Sequence, residues 1–314
     1  MEQTLLRWQT TALRWQLTAR QRWSGLLDSR IGALVAESRP WFWPVGWVPA
    51  YVGTVVASGS LVPDLPRALL ALLILGPLVW GIVLIQNDLH DRRTDELNAR
   101  KATAPLVLGT VTVRELTWLG RVLVVVAIGA GLLIGPLYAL GVATVLALGW
   151  AYSAPPLRLK GRPGADVAVN ALVIGVLAPL AGWSLTRPPS QFPWLLGLFG
   201  LVFAAAFYLP TTVVDLPADR DAGVRTFAVR FGPQWTYRIG LALWVAALAG
   251  ALLCAKLDVF VPSSSLPFQA AMAPVLTLGY AALTRRPSIF RLACLSVLFG
   301  IPTVGFVLGS VVSP

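Results

Sequence analysis

The chain has 314 residues, of which 56% are hydrophobic and 12% charged, with a mean hydropathy of +0.72. A water-soluble domain carries about twice that charged fraction, so a soluble globular fold is excluded and most of the surface must face lipid. The net charge of +11 does not point to nucleic acid, because no soluble module carries a basic patch. In so apolar a chain, Lys and Arg mark cytoplasmic loops and contacts with anionic lipid.

Residues 1–37 come first and are the least apolar part. Leu6, Leu13 and Leu17, with Trp8, Trp15 and Trp23, recur at helical spacing among arginines and glutamines. This predicts an amphipathic helix lying in the cytoplasmic interface or packed against cytoplasmic loops. No compact apolar run with a small-residue cleavage site accompanies it, so a cleaved signal peptide is not expected.

Residues 38–314 predict one all-α membrane domain, nine transmembrane helices around a central cavity. A helix needs about twenty apolar residues to cross the hydrocarbon core. Such runs fall near 41–60, 67–86, 116–134, 136–152, 165–184, 192–212, 236–256, 267–284 and 289–311, the third and fourth joined by a tight Gly135-Pro136 turn. Cys254 and Cys294 lie inside apolar runs and form no disulfide framework or zinc set. With a cytoplasmic N-terminus, nine spans leave only Arg67, Arg187 and Lys256, of 25 basic residues, on the far side. That bias is the one expected of a multi-pass protein of the cell membrane.

All 14 acidic residues except Asp64 and Asp258 fall on the cytoplasmic side, and they cluster. The second span ends in Gln86-Asn87-Asp88-Leu89-His90-Asp91-Arg92-Arg93-Thr94-Asp95. Asp88, Asp91 and Asp95 stand at i, i+3 and i+7, so a continuing helix puts three carboxylates on one face. Like charges so placed repel, and something positive must offset them. The sixth span ends in Asp215-Leu216-Pro217-Ala218-Asp219-Arg220-Asp221-Ala222-Gly223, with Asp215, Asp219 and Gly223 at four-residue steps. Each cluster closes an even-numbered span and four spans separate them, as in a loose internal duplication that turns both rows toward a shared cavity.

Carboxylates favour hard cations, and Mg²⁺ commonly takes one or two of them together with waters and phosphate oxygens. Two facing rows therefore suit Mg²⁺ ions that clamp a diphosphate, with metal and cationic side chains neutralising the charge on the leaving group. Arg100 and Lys101 follow the first cluster, Arg225 follows the second, and Arg158 and Lys160 lie in a loop stiffened by Pro155 and Pro156. Each could meet phosphate oxygens. A solvated, salt-bridged loop is the plainer reading of one cluster, but two matched clusters at matched span ends favour function.

These residues resemble the UbiA superfamily of intramembrane prenyltransferases. Its Asn-Asp-x-x-Asp-x-x-x-Asp motif is met by Asn87, Asp88, Asp91 and Asp95, and its Asp-x-x-x-Asp motif with following Gly by Asp215, Asp219 and Gly223. Tyr152 to Lys160 is similar to the family's Tyr-Ser-x-x-Pro-x-Arg-x-Lys loop, and Ser38-Arg39-Pro40 is similar to its approach to the first span. The resemblance covers residues 38–311. It implies Mg²⁺ as cofactor, held by Asp88, Asp91, Asp95, Asp215 and Asp219, with Asp91, Asp215 and Asp219 indispensable for catalysis. Asn87, Lys101, Arg158, Lys160 and Arg225 would hold the diphosphate. Asp221 stays open between a sixth metal ligand and a base toward the acceptor. His90 is expected on the helix surface at the cavity rim rather than as a base.

The expected reaction is prenyl transfer from an isoprenoid diphosphate to a lipophilic acceptor. The alternative is a terpene cyclase on the same scaffold, in which the tail's own double bonds capture the cation. A transporter is disfavoured, because its charges should lie near the bilayer midplane rather than at span ends.

Overall fold

The computed structural model describes residues 29–62, 64–97, 101, 104–259 and 261–312. The expected amphipathic segment lies mostly outside them, as does Arg100. Its described end forms α1 (Arg30–Glu37), capped by the Ser29 hydroxyl, which accepts from the Gly32 amide.

A short α2 (Pro44–Ser58) follows and is bounded by local chemistry. Pro40 and Pro44 confine its start to a 3₁₀ turn at Pro40–Phe42, and Gly59 ends it at φ 65. The second long helix, α3, runs from Leu65 through a π-helical stretch (Ile74–Trp80) into Gly81–Leu97. Pro77, which has no N–H to donate, sits inside the stretch. Then come α4 (Pro105–Leu108), α5 (Val113–Ile134) and α6 (Pro136–Ser153). Helix α7 spans Ala165–Leu172, a π-helical stretch Val173–Leu177 and Ala178–Trp183. It is followed by α8 (Trp194–Val214), α9 (Leu216–Asp221), α10 (Phe227–Leu257), α11 (Leu266–Thr284) and α12 (Ile289–Val312).

Eight of these helices are long and apolar enough to cross a membrane, which makes the protein integral and multi-pass. The expected count of nine is reached only with α2, whose 15 residues rise about 22 Å, short of the roughly 30 Å hydrocarbon core. Helix α10 starts nine residues earlier than expected and kinks at Gly232 (φ 80), just before Pro233.

Of four buried clusters among the described residues, the two largest hold opposite parts of the bundle. One joins α3, α5 and α6 through Ile74, Leu78, Ile82, Ala127, Tyr138 and Leu146. The other joins α8, α10, α11 and α12 around Trp244, whose ring stacks on Tyr280 at 4.9 Å. Between them, helices touch through glycine. A Cβ on Gly53 of α2 or Gly182 of α7 would collide with the facing helix's backbone, and so would one on Gly175 or Gly200 at the α7–α8 crossing. Without water to expel, helices in lipid associate through such close small-residue packing. Large side chains such as Val125, Leu133 and Leu278 are correspondingly exposed on the outside.

Candidate active site

The aspartate rows converge. One solvent-open cavity of about 150 Å³ is lined by Asn87, Asp91, Thr94 and Asp95 of α3, by Asp215 at the start of α9 and by Asp219 within it. Lys101, Lys160, Tyr152, Tyr208 and Thr226 complete its polar wall. Helix α3 does continue past its apolar span to Leu97, so Asp88, Asp91 and Asp95 share a face as their spacing requires. All three are buried, at 2%, 6% and 4% exposure, where an unpaired charge would be costly.

Cations offset that cost one by one. Arg39 Nη2 donates to both Asp88 oxygens at 2.6 and 2.7 Å. Lys101 Nζ lies 2.7 Å from Asp95 Oδ1 and 3.6 Å from Asp88 Oδ1. Lys160 pairs with Asp91, and Arg158 Nη2 approaches the same oxygen at 3.4 Å. Arg39 and Arg158 are two of the three non-glycine residues with left-handed backbone among the described residues, at φ 46 and 37. Such strained conformations persist where the surroundings demand them, often at functional sites. Burial pushes the Asp95 carboxyl up to about 6, against the pull of Lys101, and lowers the Lys160 ammonium to about 8, against the pull of Asp219 and Asp88.

The second row is built differently. Helix α8 ends at Asp215, and Pro217 sits in the first turn of the short α9, so the row is carried by a break rather than a continuous helix. Asp219 Oδ2 accepts from the Thr226 hydroxyl at 3.2 Å, and burial raises its carboxyl above the usual range. Gly223, at φ 68, turns the chain toward α10.

The structure does not bring every expected residue into the cavity. Asp221 and Arg225 are exposed and lie outside its lining. Asp88 sits behind it, held by Arg39 and Lys101, and Arg158 reaches it only through Asp91. His90 is exposed, its Nδ1 2.7 Å from the Gln86 carbonyl one turn back, as a rim residue should be.

Sequence reading missed Arg39 as a partner of Asp88, although it stands in the quoted Ser-Arg-Pro segment. It also missed Glu37, at 1% exposure, whose carboxyl is pushed up to about 7 by burial and by the neighbouring Asp88 charge. Thr226, Tyr208 and Asp166 carried no signal in the sequence.

Among the described residues, no three His, Cys, Asp or Glu side chains converge tightly enough to hold a metal by themselves. The donor set still suits Mg²⁺. That ion needs only one or two carboxylates when phosphate oxygens and waters fill its octahedron, and both rows present carboxylates to one polar cavity flanked by lysines.

Known proteins decide the family. The model of the UbiA prenyltransferase family matches residues 46–290. The chain belongs to that family. This UbiA-family enzyme is a prenyltransferase by kinship with curated relatives. It is 32% identical to a lycopene elongase/hydratase of Haloferax volcanii over 83% of each chain. It is 29% identical to the bacteriochlorophyll synthase 33 kDa chain of Cereibacter sphaeroides, over 69% of this chain and 72% of that one. Its fold matches a UbiA homolog from Archaeoglobus fulgidus bound to GPP and Mg²⁺, with TM-score 0.68 and 24% identity over 89% of this chain and 99% of that one.

Proposed function

We propose that the enzyme binds an isoprenoid diphosphate with Mg²⁺ in the cavity between the two aspartate rows and transfers the prenyl group to a lipophilic acceptor. The observation that carries this is the single cavity lined by Asp91 and Asp95 from one half and Asp215 and Asp219 from the other.

One or two of those four carboxylates would hold each metal ion, with Asp88 supporting the first row from behind. Bound Mg²⁺ would supply the Lewis acidity that neutralises the departing diphosphate. Asn87, Lys101 and Lys160 face the same space and would meet phosphate oxygens, with Arg158 behind Asp91 adding positive charge. The allylic C–O bond breaks with its electron pair leaving on the diphosphate. The acceptor's electron pair then forms the new C–C or C–O bond, and a proton is lost to solvent or base. The bias of basic residues to one side supports a cytoplasmic N-terminus and cavity mouth.

The relation to lycopene elongase/hydratase makes the end of a long polyene the first acceptor to try, ahead of quinone precursors, lipid glycerols and tetrapyrroles. Purified enzyme incubated with geranylgeranyl diphosphate and Mg²⁺ tests this by mass spectrometry of products. Diphosphate release that depends on acceptor, with a prenylated acceptor formed, is expected. A cyclic hydrocarbon made without acceptor would overturn transfer in favour of cyclisation.

A further inference from the structure

Two carboxylates that touch neither solvent nor the cavity each stand one span upstream of an aspartate row. Glu37 ends α1 just before the first span of the first half, and Asp166 opens α7, the first span of the second. They are 1% and 0% exposed. Each reaches far along the sequence to the segment that follows the aspartate row of its own half. Glu37 Oε1 accepts the Leu106 amide at 2.7 Å, 69 residues on. Asp166 Oδ2 accepts the Phe227 amide at 2.7 Å, 61 residues on, while its Oδ1 accepts from the Gly164 amide at 2.8 Å.

Both amides belong to the first turn of a helix, where backbone N–H groups have no intrahelical partner. A buried carboxylate aimed at such a group is worth more than an ordinary cap, because leaving either partner unmet in an apolar interior is costly. What each capped segment carries is also parallel. Five residues before Leu106 stands Lys101, which lines the cavity and pairs with Asp95. Immediately before Phe227 stands Thr226, which lines the cavity and donates to Asp219.

We infer that Glu37 and Asp166 are matched positioning residues, one per half, each clasping the segment that sets its own aspartate row for the metal and diphosphate. Lys101 and Thr226 carry each clasp to the cavity, and Glu37 also stands beside Asp88 of its own row. The inference rests on the proposed Mg²⁺–diphosphate site and extends it to residues that never touch the ligand. Residues that orient metal ligands from behind typically change metal affinity or activity about 10- to 100-fold when altered.

The test follows thermal unfolding of the full-length protein in detergent, titrated with Mg²⁺ and inorganic pyrophosphate. Wild type should be stabilised by ligand linkage. Glu37→Ala and Asp166→Ala should each need about tenfold more ligand for half the stabilisation. Glu37→Gln and Asp166→Asn keep an accepting oxygen and should return the requirement to within about threefold of wild type. A merely structural role would lower the ligand-free Tm of the Ala variants and leave the ligand requirement unchanged, which would overturn the clasp. Should the Ala variants not fold, hydrogen exchange in wild type decides. The Leu106 and Phe227 amides should exchange slowly and gain further protection with Mg²⁺–pyrophosphate, and exchange at the rate of open loops would overturn the inference. No stabilisation of wild type would sink the underlying site instead, so the two failures are distinguishable.

Discussion

The two aspartate rows meet at one cavity but are built on opposite principles. The first stands on an unbroken helix, is buried, and has each carboxylate matched by Arg39, Lys101, Lys160 or Arg158. The second straddles a helix break at Asp215 and Pro217, is half-buried, and has the Thr226 hydroxyl on Asp219, with Lys160 and Lys101 attracting Asp219 from a longer range. The difference teaches a division of labour. A row already neutralised by the protein's own cations is a rigid template, because its charges cannot relax without breaking buried pairs. A row on a short, half-exposed turn can close on a ligand that brings its own metal.

Removing one carboxylate from each row should have the largest effect. Asp91→Ala and Asp215→Ala should each lower diphosphate release by about 10³-fold, the scale of losing an electrostatic partner of the leaving group, with little change in expression. Substantial turnover in both variants would show that the rows do not share the chemistry.

The next largest effect should fall mainly on the template row. Lys160→Met leaves Asp91, 6% exposed, facing only the more distant Arg158. Breaking a buried pair costs about 3–5 kcal/mol, so the metal-free protein should show a clearly lower Tm. Added Mg²⁺ should recover part of the loss, since the ion replaces the missing cation. An unchanged Tm would mean that the first row is not held rigid by its pairs.

The smallest effect expected is on pH dependence. Glu37 and Asp95, at about 7 and 6, bind protons more readily folded than unfolded, and Asp219 is raised in the same sense. Their contribution to stability is present at low pH and is lost as pH rises through those values. Without metal, Tm should therefore rise as pH is lowered from about 7.5 to about 5. With Mg²⁺ and pyrophosphate the trend should reverse, because the ion competes with protons for the same oxygens. A flat profile in both conditions would argue that the carboxyls are not tuned by burial.

What the sequence made legible follows this contrast. Aspartates in an apolar chain are conspicuous, so both rows, their shared side and the helical face of the first were readable from spacing alone. The start of the first span moved to Pro44 because hydropathy does not register that Pro40 and Pro44 impose a 3₁₀ turn. Glu37 and Asp166 were invisible for a deeper reason. Their partners are backbone amides 69 and 61 residues away, and an amide has no letter of its own. Asp221 and Arg225 show the converse, since proximity to a motif in sequence did not place them in the cavity.

The central claim is that both rows grip one metal–diphosphate, and a double-mutant cycle on binding of Mg²⁺ with a non-cleavable prenyl thiodiphosphate tests it most directly. Asp91→Asn, Asp219→Asn and the double variant would be compared with wild type by calorimetry. Joint grip predicts strong non-additivity, a coupling of about 1 kcal/mol or more. Losses that simply add would place the rows on separate ligands and contradict the account.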